Sequence, residues 1–159
     1  MTEHEISVTV NGTLHELKVE SRTLLVTALR EQLGYTDTNV GCESSRCGAC
    51  TVQVDGTPIK SCTRLAVQMD GASIETVGAL GEEGKLNPLQ KSFQETHGLQ
   101  CGYCTPGMLM TADAFLQTAS DPSREEIREA LEGNLCRCTG YHNIVDAVEL
   151  AAERREADQ

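Results

Sequence analysis

Residues 41–50 read Gly-Cys-Glu-Ser-Ser-Arg-Cys-Gly-Ala-Cys, and this stretch decides the fold of the N-terminal half. It places three cysteines on one short loop with the spacing C-x4-C-x2-C, and a fourth, Cys62, follows twelve residues after the last of them. Three thiolates on a tight loop can surround an anionic metal–sulfide core, while glycine and serine let backbone N–H groups approach it. This spacing is the one that plant-type [2Fe–2S] centres use. The first predicted ligand set is Cys42, Cys47, Cys50 and Cys62.

A second group of four cysteines lies in the C-terminal half, as a C-x2-C pair and a C-x-C pair. Each pair comes just before a helix-like segment. The start of a helix directs free N–H groups and the positive end of the helix dipole at nearby negative charge. We therefore predict a second [2Fe–2S] site in this half. Its ligands would be Cys101, Cys104, Cys136 and Cys138.

Two other uses of the cysteines compete with iron–sulfur clusters. Zinc sites made of four thiolates are common, and the pair Cys101 and Cys104 would suit one, but a C-x4-C-x2-C loop is unusual for zinc. Structural disulfides need an oxidising compartment, and residues 1–5 show neither the basic region nor the apolar run of a secretory signal. We expect a cytoplasmic protein, or one held at the inner face of the membrane through its partners.

The N-terminal half predicts a small mixed sheet around one helix. Alternating apolar residues lead into and out of an Asn11-Gly12 turn, and again around Asp55-Gly56, which predicts two β-hairpins. A further short strand is expected over residues 74–77. Between the hairpins, apolar residues at helical spacing predict an amphipathic helix over residues 25–33 that ends at Gly34. These elements predict a plant-type ferredoxin-like β-grasp domain.

The C-terminal half predicts four helices. Asn87 and Ser123 begin capping boxes that start the first and third helices. Thr105 is expected to cap the second helix, and apolar residues from Ile144 onward form one face of the last. Two helical hairpins of this kind make a four-helix bundle. The predicted fold class is therefore α+β, a β-grasp domain followed by a [2Fe–2S]-binding helical bundle.

The boundary between the halves is predicted where three glycines and two acidic residues interrupt both patterns. We divide the chain into an N-terminal domain over residues 1–78, a linker over residues 79–84 and a C-terminal domain over residues 85–159. Domains of this size bury a thin core, and the chain has no tryptophan. Bound metal is therefore expected to contribute to folding as well as to function.

Composition excludes several classes of function. A net charge of −11 would repel the phosphates of nucleic acid, and no apolar stretch approaches the length of a membrane span. The four histidines are scattered and form no catalytic or Rieske-type arrangement. We predict no catalytic residue in this chain, which would carry electrons for another protein.

Three runs of sequence resemble the small iron–sulfur subunit of the molybdenum hydroxylases, the xanthine oxidase family. They are residues 41–52, 98–107 and 133–141, and all eight predicted ligands stand at matching positions. Within the family the chain is most similar to the small subunit of aerobic carbon monoxide dehydrogenase. Related subunits of aldehyde, nicotine and isoquinoline hydroxylases are the alternatives, and a free two-cluster ferredoxin is the alternative outside the family.

The resemblance implies an oxidoreductase of several subunits, with the substrate site on another subunit. A large subunit would hold molybdenum on molybdopterin cytosine dinucleotide, a medium subunit would hold FAD, and the assembly would be a dimer of heterotrimers. Electrons would pass from molybdenum through the cluster of the helical bundle to the cluster of the β-grasp domain, and on to FAD. By the same resemblance, Gln100 and Cys138 would hydrogen-bond the pterin.

Overall fold

The computed structural model of the chain describes residues 2–82 and 84–157, apart from the side chain of Glu156. Residues 1 and 159, which are the outer limits of the predicted domains, lie outside the described residues, as do residue 158 and Glu83 of the predicted linker. Within the described ranges, five strands form one sheet and four helices of eight or more residues follow them. The predicted α+β class is confirmed.

The first hairpin forms where the sequence predicts it. Strands β1 (Glu3–Val10) and β2 (Thr13–Glu20) pair antiparallel, with Ile6 opposite Leu17. The turn residues Asn11 and Gly12 both adopt left-handed backbone, with φ of 49° and 79°, as a two-residue turn of this type requires. This hairpin forms one edge of the sheet.

The remaining strands complete a β-grasp sheet. Strands β3 (Thr51–Val54) and β4 (Thr57–Lys60) form the second hairpin, and β5 (Ser73–Glu75) inserts between the hairpins, parallel to β1 and antiparallel to β3. The strand order is β2-β1-β5-β3-β4. The last strand is shorter than predicted, because Val77 begins a 3₁₀ turn (Val77–Ala79) instead of extending it.

The predicted amphipathic helix is only partly α-helical. Helix α1 (Leu25–Thr27) is a single turn that widens into a π-helical turn (Ala28–Gln32). The N–H of Leu33 donates to the Ala28 carbonyl five residues earlier, at 3.0 Å. Leu33 and Tyr35, which follow the wider turn, pack against the N-terminal core. That core consists of Ile6, Val8, Val10, Val19, Leu25, Ala28, Leu29, Val52, Ala66 and Ile74. Tertiary packing has overridden the helical period here.

The C-terminal half is the predicted bundle. Its helices are α2 (Pro88–Glu95), α3 (Thr105–Thr118), α4 (Arg124–Leu131) and α5 (His142–Ala157). Both predicted capping boxes are present, at Asn87 and Ser123. The core consists of apolar side chains from all four helices, namely Leu89, Phe93, Met108, Leu109, Ala112, Leu116, Ile127, Leu131, Ile144, Val145, Ala147, Val148, Ala151 and Ala152.

The predicted cap at Thr105 is wrong. Helix α3 takes Cys104 as its N-cap, and Thr105 is already the first helical residue. Its hydroxyl is buried and finds no hydrogen-bond partner among the described residues. The cap position is therefore occupied by a predicted metal ligand, whose side chain makes no capping hydrogen bond to the helix.

Between the halves, the described residues from Leu80 to Asn87 contain only a short bridge of Glu82 to Lys85. The predicted limits of the two domains stay a prediction. Among the described residues, none of the helices is both long and apolar enough to cross a membrane.

Candidate metal centres

The loop after Cys42 wraps its backbone around the Cys42 sulfur. The N–H groups of Ser44, Arg46 and Cys47 point at that sulfur, with N···S distances of 3.4, 3.3 and 3.3 Å. The Ser44 side chain together with these N–H groups lowers the pKa of the Cys42 thiol to about 6. The loop therefore stabilises a thiolate, which is the form of cysteine that binds metal.

The shape of this loop depends on unusual backbone and on a missing side chain. Glu43, Ser45 and Gly48 adopt left-handed φ values of 52°, 61° and 72°, which turn successive N–H groups toward one side. At Gly41, a Cβ atom would lie 2.8 Å from the Cys47 sulfur. The glycine leaves the space that a sulfur-bound metal core needs near Cys47.

Cys50 and Cys62 meet at one end of the second hairpin. The register pairs Thr51 with Lys60, so Cys50 lies opposite Ser61, whose N–H donates to the Cys50 carbonyl at 3.2 Å, and Cys62 is the next residue along the chain. Both thiols are buried in a small apolar cluster with Val26. Burial, and then the neighbouring Cys62 thiol, raise the pKa of Cys50 to about 11. Two buried thiols in contact give up their protons when a metal cation replaces those protons.

The second cysteine group also forms two pairs. The sulfurs of Cys101 and Cys138 lie 3.5 Å apart and both residues are exposed. Cys104 and Cys136 are half-buried, and burial followed by contact with Cys136 raises the pKa of Cys104 to about 12. Each contact joins one cysteine of the C-x2-C pair to one cysteine of the C-x-C pair, so the fold brings together the two pairs that were predicted to share one cluster.

Two residues without a predicted role hold the second loop. The Cys136 sulfur lies 3.1 Å from the Thr139 hydroxyl. Burial raises the pKa of Cys136, but the hydrogen bonds from the Thr139 hydroxyl and from nearby backbone N–H groups outweigh burial, so the pKa is lowered. The Tyr141 hydroxyl accepts from the Cys136 N–H at 2.9 Å and donates to the Asn134 carbonyl at 3.1 Å. In the sequence, Thr139 and Tyr141 are marked only by their position just after the C-x-C pair.

The geometry of the thiols suits a diiron cluster better than a single ion. Within residues 2–82 and 84–157, no three His, Cys, Asp or Glu side chains converge on one point as a mononuclear site requires. A [2Fe–2S] cluster has four cysteine ligands for two irons. Six of the eight thiols contact one another in pairs, namely Cys50 with Cys62, Cys101 with Cys138 and Cys104 with Cys136. The eight free thiols, the loop of N–H groups at Cys42 and the cleared space at Gly41 fit two such clusters.

The two cysteine loops are in direct contact, although one belongs to the N-terminal β-sheet half and the other to the C-terminal helical half. These two halves are called the two lobes below. The Leu135 N–H donates to the Cys47 carbonyl at 2.8 Å, and the Asn134 side-chain amide donates to the Gly48 carbonyl at 3.0 Å. At Gly107 in α3, a Cβ atom would lie only 2.1 Å from the Gly48 oxygen. Neither Asn134 nor Gly107 had a predicted role in this contact.

A second contact between the lobes is formed by a buried glutamine. The Gln53 side-chain amide donates to the Met110 carbonyl and to the Asp113 carboxylate, both at 3.1 Å. Gln53 is 1% exposed and Asp113 is 6% exposed. Arg155 lies 3.4 Å from the other oxygen of that carboxylate. This polar network holds strand β3 against helix α3.

The predicted pterin-contacting residues lie on one exposed edge of the second site. Gln100 and Cys138 are both exposed. Three large apolar residues that neighbour the predicted ligands in sequence are also exposed: Leu99 39%, Tyr103 52% and Leu135 57%. Exposed apolar side chains next to exposed ligand residues are a feature of surfaces that another molecule covers.

Both halves of the chain match families of iron–sulfur domains. Residues 8–75 match the 2Fe-2S iron-sulfur cluster binding domain, and residues 76–149 match the [2Fe-2S] binding domain. Together the two matches cover most of the chain.

Similar proteins are subunits of enzymes that oxidise small molecules. The caffeine dehydrogenase subunit gamma of Pseudomonas sp. (strain CBB1) is 54% identical over 98% of this chain and 95% of its own length. The nicotine 6-hydroxylase small subunit of Paenarthrobacter nicotinovorans is 49% identical over 91% of this chain and 87% of its own. In the crystal structure of quinoline 2-oxidoreductase from Pseudomonas putida 86, one chain is 50% identical, with a TM-score of 0.93 over 98% of this chain and 97% of that one.

Proposed function

The chain belongs to the small iron–sulfur subunits of the molybdenum hydroxylases, and on this premise we propose that it conducts electrons between two cofactor-bearing partner subunits of one oxidoreductase. The observation that carries the proposal is the direct contact of two cysteine loops, through the hydrogen bond from Leu135 to Cys47. When bound, two [2Fe–2S] clusters would each take up and release one electron.

We assign the ligands as the sequence predicts them. Cys42, Cys47, Cys50 and Cys62 would hold the first cluster, supported by the N–H groups around Cys42 and by the contact of the two buried thiols. Cys101, Cys104, Cys136 and Cys138 would hold the second, supported by the contacts within its two pairs. We further propose that the first set belongs to a domain over residues 1–78 and the second to a domain over residues 85–159, joined by the linker at 79–84.

The exposed edge of the second site would face the larger, molybdenum-bearing subunit. Exposed Gln100 and Cys138 would hydrogen-bond a pterin there, and the apolar side chains of Leu99, Tyr103 and Leu135 would be covered by that partner. The first site would serve an FAD-bearing subunit, because its loop residues Glu43, Ser44 and Arg46 are exposed and leave it open to a second partner. The assembly would be a dimer of heterotrimers in the cytoplasm.

The substrate of the complex is proposed from the relatives. The names of the three relatives described above refer to caffeine, nicotine and quinoline, which are all nitrogen heterocycles. We therefore propose that the complex oxidises a nitrogen heteroaromatic compound. The finer expectation of a carbon monoxide dehydrogenase gains no support from these three names.

Purification of the native complex under anaerobic conditions tests the proposal. We expect this chain to elute with a molybdenum-bearing and a flavin-bearing subunit, to contain about four irons, two for each of its two [2Fe–2S] sites, and to show two paramagnetic centres on reduction. A chain that elutes alone with its full iron content would identify the free two-cluster ferredoxin. A colourless protein that contains zinc would overturn the cluster assignment.

A substrate panel separates the proposed chemistry from the earlier expectation. Quinoline, nicotine, caffeine, an aromatic aldehyde and carbon monoxide are each added to the oxidised complex, and bleaching of the iron–sulfur absorbance is followed. Rapid bleaching by a heterocycle supports the proposal. Bleaching by carbon monoxide or by the aldehyde alone would contradict the proposed substrate class and leave the electron-transfer role intact.

A further inference from the structure

Asn134 lies where the two cysteine loops touch, two residues before Cys136. It is 3% exposed, so its polar groups need partners within the protein. Its side-chain amide donates to the Gly48 carbonyl at 3.0 Å, and its side-chain oxygen accepts from the Thr111 hydroxyl at 2.9 Å. One side chain thus joins the first cysteine loop to helix α3.

The backbone of Asn134 is held as firmly as its side chain. Its N–H donates to the Leu131 carbonyl at 2.9 Å, and its carbonyl accepts from the Tyr141 hydroxyl at 3.1 Å. The same hydroxyl accepts from the Cys136 N–H. Asn134 therefore fixes the position of the peptide that leads to the ligand Cys136.

The peptide between Asn134 and Leu135 lies on a short connection between the two ligand sets, made of covalent bonds and one hydrogen bond. From Cys47 it crosses the hydrogen bond from its carbonyl to the Leu135 N–H, at 2.8 Å, and continues along the backbone into Cys136. The approach is close because position 48 is glycine. A Cβ atom there would lie 2.5 Å from the Gly133 oxygen and 2.6 Å from the Asn134 amide nitrogen.

We propose that Asn134 is a positioning residue that sets the separation of the two iron–sulfur centres and thereby the rate at which they exchange an electron. The inference rests on the proposed function. The exchange moves one electron from a reduced centre to an oxidised one, and no bond forms or breaks. Its rate falls steeply with separation, so a small movement of the Leu135 peptide away from Cys47 slows it.

The test compares two asparagine variants in the intact complex. Asn134→Ala removes the side-chain hydrogen bond to the Gly48 carbonyl and leaves the bond from the Leu135 N–H to Cys47 without that support. The control Asn87→Ala removes only the cap of α2, since Asn87 accepts from the Gln90 N–H at 2.8 Å. Electron paramagnetic resonance of the fully reduced complex reports the magnetic interaction between the two centres, which depends on their separation. Freeze-quench samples taken after substrate addition report the order in which the centres are reduced.

We expect Asn134→Ala to retain four irons per chain, to show a smaller splitting from the magnetic interaction, and to show a delay in reduction of the first cluster, held by the Cys42 loop, after the second cluster has been reduced. Asn87→Ala should keep the wild-type splitting and show no delay. Full iron content with wild-type splitting in Asn134→Ala would overturn the positioning role.

A second variant covers the case in which Asn134→Ala does not retain its iron. Thr111→Val removes the hydrogen bond to the Asn134 side-chain oxygen and leaves the donor to Gly48 in place. We expect a reduced splitting in Thr111→Val, and an unchanged splitting there would refute the inference. Failure of the proposed function is distinguishable, because the wild-type complex itself would then lack two paramagnetic centres.

Discussion

Replacement of Gly107 by alanine should drive the two lobes apart. Gly107 lies in the first turn of α3, where alanine would ordinarily be favoured over glycine by up to about 1 kcal/mol. A Cβ atom at this position would lie 2.1 Å from the Gly48 oxygen and 3.1 Å from the Ala49 Cα. Carbon-to-oxygen contacts in proteins are ordinarily about 3.3 Å or longer, so the loop must move by roughly 1 Å.

That movement breaks contacts that depend on the same approach. The hydrogen bonds from Leu135 to Cys47, at 2.8 Å, and from Asn134 to Gly48, at 3.0 Å, would exceed hydrogen-bonding distance. Overpacking costs about 1–3 kcal/mol and each lost hydrogen bond about 1 kcal/mol. After the gain in helix propensity, we expect a net destabilisation of about 2–4 kcal/mol.

Urea unfolding of the cluster-loaded protein, followed by far-ultraviolet circular dichroism, measures this change. With a slope of about 1–3 kcal/mol per molar urea, the midpoint should fall by roughly 1–2 M. The matched control is Gly71→Ala, where φ is 78° and no described heavy atom lies within 4 Å of the added Cβ. It should cost only about 1 kcal/mol, from left-handed backbone strain.

Unfolding of Gly107→Ala at the same urea concentration as Gly71→Ala would contradict this expectation. Equal midpoints would mean that the loop around Gly48 yields to the added methyl group at little cost, so that the approach of the lobes is not tightly constrained. A larger shift for Gly107→Ala, with loss of the iron–sulfur absorbance at lower urea, supports it.

Three further outcomes concern the metal centres, and a fourth concerns the cap of helix α2. Cys138→Ser should damage the second cluster and stop turnover while the first cluster stays visible by electron paramagnetic resonance; wild-type turnover would contradict the electron route. Gln100→Ala should leave the iron content and stability unchanged and slow reduction by substrate, and unchanged reduction kinetics would remove Gln100 from the route. Removal of iron should leave the chain partly unfolded, because buried thiols such as Cys50 and Cys62 lose the metal that holds them; an undiminished cooperative transition by circular dichroism would count against this. Asn87→Ala should destabilise the protein by about 1 kcal/mol through loss of the α2 cap, and a thermal midpoint identical to wild type would show that the cap contributes nothing.

The local elements were predictable because their signals lie within a few residues of one another. Asn11-Gly12 specifies a tight turn, Asn87 and Ser123 specify helix starts, and the cysteine spacing specifies the ligand loops. Where local preference and packing disagreed, packing prevailed: residues 28–32 widened into a π-helical turn, and Cys104 took the cap position expected for Thr105.

From the sequence alone came the α+β architecture, which the structure confirms, and the prediction that the eight cysteines form two sets of four ligands. Only the tertiary structure decided how the two loops meet, through Asn134, Gly48 and Gly107. The physical reason is that the residues in contact are far apart along the sequence. Asn134 and Gly48 are 86 residues apart, and their contact depends on shape and on a single hydrogen bond, which leave no periodic pattern in the chain.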